Sequence, residues 1–415
     1  MKKPEGSSAV TSVNHGVDPG KNQSAMRIKE LDGLRGIAVL AVINCHYFPW
    51  LPITGADYGW LGVDLFFVLS GFLITSILLG LREEERYFAI FYSRRVLRIF
   101  PPYFLGLAVY IAVCTAMGRL GSFRLWSQYL FYYTSLYPHD QMQEGATQNL
   151  PLAVCFGLLV LWSLSVEEIY YTIWAPIVRF MNERAFAAAL IAMIIAAPIL
   201  RWAWHFPGHR EIFTFYGRMD GLAYGSAIAL LTRHRHASPR AWSRSDRLFD
   251  LLAIVVVPCS VVFWLITGPS VDNPLVPWLG VVLANVSFAL ITYALIRHAG
   301  GSQLWVRIFR AKWLRSIGMI SYSLYLFHYP LLIVSEELVA KLHLPRRVDA
   351  VSNVLLGLAL SFAVAYGLWY GMESRILRWK DHKVPSPAHA EPQSHPIAPA
   401  VASESTKNSQ ILLMP

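Results

Sequence analysis

Hydrophobic runs of membrane-spanning length recur along almost the whole chain, and no other feature narrows its fold as much. A bilayer core asks for about 20 apolar residues per helical crossing. About ten segments qualify, near residues 34–50, 60–81, 99–118, 157–178, 185–204, 217–232, 249–267, 277–297, 317–339 and 350–372. Of 415 residues, 55% are hydrophobic and 15% charged, and mean hydropathy is +0.41, well away from soluble composition. The expected fold is all-α, a polytopic transmembrane helical bundle of about ten spans. No internal repeat is evident, which weakens a reading based on inverted-repeat transporters.

Residues 1–28 are polar and lack the apolar core of a secretory signal, so they are expected to form a disordered cytoplasmic N-terminus. Residues 29–378 form the membrane domain. Residues 379–415, rich in Pro, Ala, Ser and His, are expected to be a disordered cytoplasmic tail. A net charge of +10 on a soluble chain would suggest nucleic acid. Here the basic residues gather in alternate loops, such as Arg94–Arg98, Arg233–Arg247 and Arg307–Arg315, and no nucleic-acid partner is expected. The opposite loops hold fewer, among them Arg119, Arg124 and Arg201. The positive-inside tendency then places both termini in the cytoplasm. An aromatic run from Arg124 to Thr134 in the longest external stretch, about 119–156, suits an interfacial or partly inserted helix. The four cysteines lie in apolar stretches with no metal-ligand spacing, and no metal site is expected.

Ionisable groups inside such segments are costly and mark function by default. Arg35 and His46 share one apolar stretch, eleven residues apart, which on a helix puts them on one face about 16 Å apart. A neutral imidazole can take a proton from an attacking hydroxyl. It can equally just hydrogen-bond a neighbouring helix. Asp64, in Gly62-Val-Asp-Leu-Phe-Phe-Val-Leu-Ser-Gly71, either orients His46 or caps its own helix. Arg95 and Arg98 share a face at the cytoplasmic entrance of the third span, where planar guanidiniums suit phosphate oxygens but also serve topology or lipid binding.

In Trp162-Ser-Leu-Ser-Val-Glu-Glu168, the stripe Ser163, Glu167, Tyr171, Trp174 excludes Glu168. Glu167 is either a counter-ion or an active-site group. Arg218 and Asp220 stand at the start of the sixth segment, where they are expected to pair with each other. Ser321, Tyr325 and His328 form a further stripe before Pro330 disrupts the helical pattern. That stripe is either a polar packing seam or a pocket wall.

These strings resemble acyltransferase family 3, the integral-membrane O-acyltransferases that modify O-antigen, exopolysaccharide, nodulation factors and macrolides. The likeness is carried by Asp32-Gly-Leu-Arg-Gly36 with His46, by the Gly62–Gly71 string, and by Arg95-x-x-Arg98-Ile-x-Pro. Trp162–Glu168 and Ile320-Ser-Tyr-Ser-Leu-Tyr-Leu-Phe-His-Tyr-Pro330 complete it, over about residues 29–377. One departure is Ile169, where the family often has Gln. The chain is expected to be the membrane-only form, without the extracytoplasmic domain that some relatives add.

The resemblance implies an O-acetyltransferase of a cell envelope, multi-pass in a bacterial inner membrane. It implies transfer of an acyl group, most often acetyl, from acyl-CoA to a hydroxyl of a carbohydrate or lipid-linked glycan. His46 is then the general base, with Asp64 or Glu167 orienting it. Arg35, Arg95 and Arg98 bind acyl-CoA, a donor substrate and not a bound cofactor. Ser163, Tyr171, Arg218, Asp220, Ser321, Tyr325 and His328 are candidate pocket-lining residues. The rival reading is a transporter or flippase for a glycolipid or anion.

Overall fold

The computed structural model describes residues 28–383 apart from residue 50 and the stretches 52–54, 137–149, 205–209 and 238–241. The expected disordered N-terminus, all but Ile28, and the tail beyond residue 383 lie outside the described residues. Among the described residues the fold is all-helical. Seven helices are long and apolar enough to cross a membrane. They are α2 (Leu61–Leu81), α3 (Tyr87–Ala116), α7 (Glu183–Ala203), α9 (Trp242–Thr267), α10 (Val281–Arg297), α12 (Lys312–Ala340) and α13 (Arg346–Leu368).

The other three expected spans are helical too: α1 (Lys29–Tyr47), α6 (Trp162–Phe180) and α8 (Phe215–Ala237). They are less apolar than the seven and carry charge, including Glu30, Asp32 and Arg35 on α1, Glu167, Glu168 and Arg179 on α6, and Arg218 and Asp220 on α8. Seven of the thirteen candidate site residues lie on these three helices. The shorter helices are α4 (Phe123–Leu130), α5 (Leu152–Leu159), α11 (Leu304–Phe309) and α14 (Ser374–Lys383).

Two parallel pairings organise the bundle. Along α1 and α12, Asp32 meets Gly318, Arg35 meets Ser321 and His46 meets His328, so both helices run in one direction. A Cβ at Gly318 would stand 1.8 Å from the Asp32 carbonyl oxygen, so only glycine permits this approach. Along α2 and α8, Asp64 meets Arg218, Gly71 meets Leu222 and Thr75 meets Ser226, again in parallel. By contrast α12 and α13 are antiparallel, joined at Ser335–Asn353 and Ser316–Tyr366.

Several expectations are corrected. The helix α12 continues through Pro330 to Ala340, since a proline inside a membrane bundle loses one backbone bond without ending the helix. The expected span 157–178 is interrupted at Val160–Leu161, between α5 and α6. The break leaves the Val160 carbonyl to accept from the Tyr325 hydroxyl at 3.0 Å. The C-terminal helix runs to Lys383, past the boundary at 378. The expected helix at Arg124 is present as α4, capped by the Ser122 side chain, which accepts from Leu125 N–H.

Candidate functional site

A cavity of about 170 Å³ lies among α1, α2, α3, α6 and α12. Its polar wall holds Arg35, Ser70, Arg95, Arg98, Ser163, Glu167, Ser321 and Tyr325, and its apolar wall includes Val63, Phe66, Phe67 and Leu73. The three arginines expected to act together therefore share one chamber. Arg95 and Arg98 stand within α3, two to three turns from its start at Tyr87, rather than in the loop before it. Arg98 is exposed, while Arg35 and Arg95 are partly buried.

Arg35, Arg95 and Glu167 each have partners within this wall. Arg35 Nη2 donates to Ser321 Oγ at 3.2 Å. Arg95 Nη2 is 3.5 Å from Glu167 Oε2, and its guanidinium carbon lies 3.6 Å from the centroid of the Tyr171 ring. Glu167 also accepts from Ser70 Oγ and from Tyr171 OH, both at 2.8 Å. Glu168, expected to leave this stripe, has Oε1 3.7 Å from Arg95 Nε. Adjacent helical residues diverge, but a guanidinium lying between them is long enough to meet both carboxylates. Ser70 was not singled out from the sequence; it is the one polar side chain in the run Leu65–Gly71.

His46 does not line the cavity. Its Nδ1 is 3.0 Å from His328 Nε2 and 3.0 Å from the Val42 carbonyl oxygen. The Tyr329 ring lies against it, with centroids 4.3 Å apart. Tyr325 links the two places: it lines the cavity, shares a hydrogen bond with Ser163 at 2.7 Å, and its ring centroid is 5.8 Å from that of His328. The histidine pair is thus one side chain removed from the cavity. Neither Asp64 nor Glu167 orients the imidazole, because both are engaged elsewhere.

Asp64 Oδ1 is paired with Arg218 Nη1 at 2.5 Å, and no side-chain cap closes the start of α2. Asp220 is paired bidentately with Arg201, at 3.0 and 2.8 Å. The expected Arg218–Asp220 pair does not form. Residues two apart on a helix point about 200° from each other, so each reaches a different neighbour. All four are at most 1% exposed. Together they tie α2 and α7 to α8. Arg201, read from sequence as an external loop charge, lies inside α7. Tyr171, Arg218, Asp220 and His328 stand outside the cavity wall, whereas Ser163, Ser321 and Tyr325 belong to it. Among the described residues no His, Cys, Asp and Glu cluster could hold a metal ion.

A family model for an acyltransferase domain matches residues 28–370. The chain is 29% identical over 329 residues to the peptidoglycan O-acetyltransferase OatA of Listeria monocytogenes, covering 74% of this chain and 50% of that protein. It is 26% identical over 361 residues to the O-acetyltransferase OatA of Staphylococcus aureus, covering 81% and 56% respectively. The chain spans about half the length of these curated relatives. No solved structure matches.

Proposed function

The chain belongs to the acyltransferase family that its motifs resemble and is a multi-pass membrane protein, and from that premise we propose that it moves an acetyl group from acyl-CoA to a hydroxyl of an envelope glycan. The observation that carries this reading is the single chamber in which Arg35, Arg95 and Arg98 face Glu167, Ser321 and Tyr325. Guanidiniums are suited to phosphate oxygens, and the exposed Arg98 is placed to receive the charged part of a donor first. The chamber's apolar wall suits the acyl end and excludes bulk water from the thioester. Relatives named for peptidoglycan favour a glycan acceptor of that kind.

His46 is the base. His46 is partly exposed, while His328 is fully buried. The acceptor oxygen attacks the thioester carbonyl carbon as its proton passes to the imidazole. The carbon–sulfur bond then breaks, and the departing thiolate takes that proton. Tyr325 is the side chain that stands between the chamber and the histidine pair.

We read ten crossings, adding α1, α6 and α8 to the seven apolar helices. In that count α1 and α12 are first and ninth, and α2 and α8 are second and sixth, which agrees with both parallel pairings. The basic loops then place both ends of the bundle in the cytoplasm.

The experiment uses purified full-length protein in lipid nanodiscs with radiolabelled acetyl-CoA and soluble peptidoglycan fragments. Label in the glycan that is lost in His46→Ala supports the reading. Movement of unmodified glycan across a reconstituted bilayer, without label transfer, favours a flippase.

A further inference from the structure

We infer that His328 is the positioning residue for His46: it holds the base as the Nδ1–H tautomer, so that Nε2 carries the lone pair offered to the acceptor. The inference rests on the reading of His46 as base.

A backbone carbonyl oxygen only accepts hydrogen bonds. His328 Nδ1 lies 2.7 Å from the Tyr325 carbonyl oxygen, so that nitrogen bears the ring proton. A neutral imidazole has one N–H, which leaves His328 Nε2 as an acceptor. That acceptor is 3.0 Å from His46 Nδ1. The Val42 carbonyl oxygen stands 3.0 Å from the same nitrogen. Two acceptors converge on His46 Nδ1, so it is protonated and Nε2 is bare. Among the described residues no hydrogen bond occupies His46 Nε2.

The surroundings hold this order in place. His328 is 0% exposed, and its own carbonyl accepts from Tyr47 OH at 2.8 Å. The Tyr47 hydroxyl also shares a hydrogen bond with Ser361, which ties α1, α12 and α13 together beneath the pair. Tyr329 packs on the His46 ring at a tilt of 32°. Turning that ring over would break its bonds to Val42 and to His328 at once.

The arrangement fits the proton transfer. When Nε2 takes the hydroxyl proton, His46 becomes an imidazolium, and its Nδ1–H bond to His328 becomes charge-assisted. A carboxylate does this work in hydrolase triads by fixing the tautomer and stabilising the cation. Here a neutral imidazole does it and adds no negative charge to the bundle interior, where an unpaired carboxylate is costly. It also accounts for Asp64 and Glu167 being spent on arginines.

The test is ring ¹⁵N NMR of histidine-labelled full-length protein, with the His46 signals identified by their loss in His46→Gln. The wild type is expected to show Nδ1 protonated and Nε2 bare, and His328→Leu, which leaves the Val42 carbonyl as the remaining acceptor on Nδ1, to add a measurable fraction of the Nε2–H form. In turnover, His328→Leu should lower kcat by about 10²–10⁴-fold while the acetyl-CoA KM stays within about twofold. His328→Gln, whose amide oxygen accepts from Nδ1, should recover at least about tenfold of that loss. An Nε2–H signal in the wild type, or one tautomer in both wild type and His328→Leu, overturns the inference. Should His328→Leu fail to fold, the wild-type spectrum and the His328→Gln turnover decide it. A wild type that transfers no acetyl group defeats the proposed function and leaves the tautomer result standing.

Discussion

Arg95 lays its guanidinium over the ring of Tyr171, 3.6 Å from the centroid, while the Tyr171 hydroxyl donates to the carboxylate of Glu167 that the same guanidinium approaches. The stack holds a flat cation at the cavity wall and aims its edge. Lysine keeps the charge but lacks the plane and the fork. Arg95→Lys is therefore expected to weaken acetyl-CoA binding about 10- to 100-fold by calorimetric titration, the loss of a charge-assisted hydrogen bond. Unchanged affinity would return Arg95 to a purely structural role.

His46 stands outside the chamber, so donor binding and turnover should separate. His46→Ala is expected to hold acetyl-CoA within about twofold of wild type and to lose about 10²–10⁴-fold in kcat, the range for a missing general base. A parallel loss of affinity would mean that the histidine belongs to the donor site.

The Arg201–Asp220 pair is fully buried and bidentate, with Arg201 Nη1 also donating to the Gly217 carbonyl at 2.6 Å. Asp220→Ala strands a guanidinium in the bundle and should destabilise the protein by about 3–5 kcal/mol. Unfolding in mild detergent measures this. Protein that remains folded should bind acetyl-CoA normally, since Asp220 does not line the cavity.

Gly318 lies directly against the Asp32 backbone where α1 and α12 pack together. In Gly318→Ala the new methyl group meets the Asp32 backbone, which cannot swing aside as a flexible side chain would. A loss of about 1–3 kcal/mol or more is expected, with donor affinity falling because Arg35 and Ser321 separate. Thermal unfolding and titration of the same sample test both parts. Wild-type values in both would show that the helices tolerate a wider spacing.

The legible parts of this molecule were those written in short-range periodicity. Apolar runs located the helices, and the i, i+3 and i, i+4 stripes brought Arg95 with Arg98 and Glu167 with Tyr171. Pairing across helices was not legible. Asp64 with Arg218 and Arg201 with Asp220 depend on which helix packs beside which, and spacing along one helix says nothing of that. Arg201 reads as a loop residue because it is a positive charge near a span end, and only its partner shows otherwise. Glu168 points away from the Glu167 stripe, yet a long cation reaches both diverging carboxylates. His328 stood out only as one member of a polar stripe, and its bond to His46 bridges 282 residues.

That separation has a consequence for biosynthesis. A ribosome adding about 5–20 residues per second completes α1 to α3 well before α12 emerges. Until α12 inserts alongside α1, Arg35 lacks Ser321 and His46 has the Val42 carbonyl but not His328 as a partner. A nascent fragment can thus present basic residues at the membrane surface before the wall that faces them exists, and the chamber is completed by one late helix.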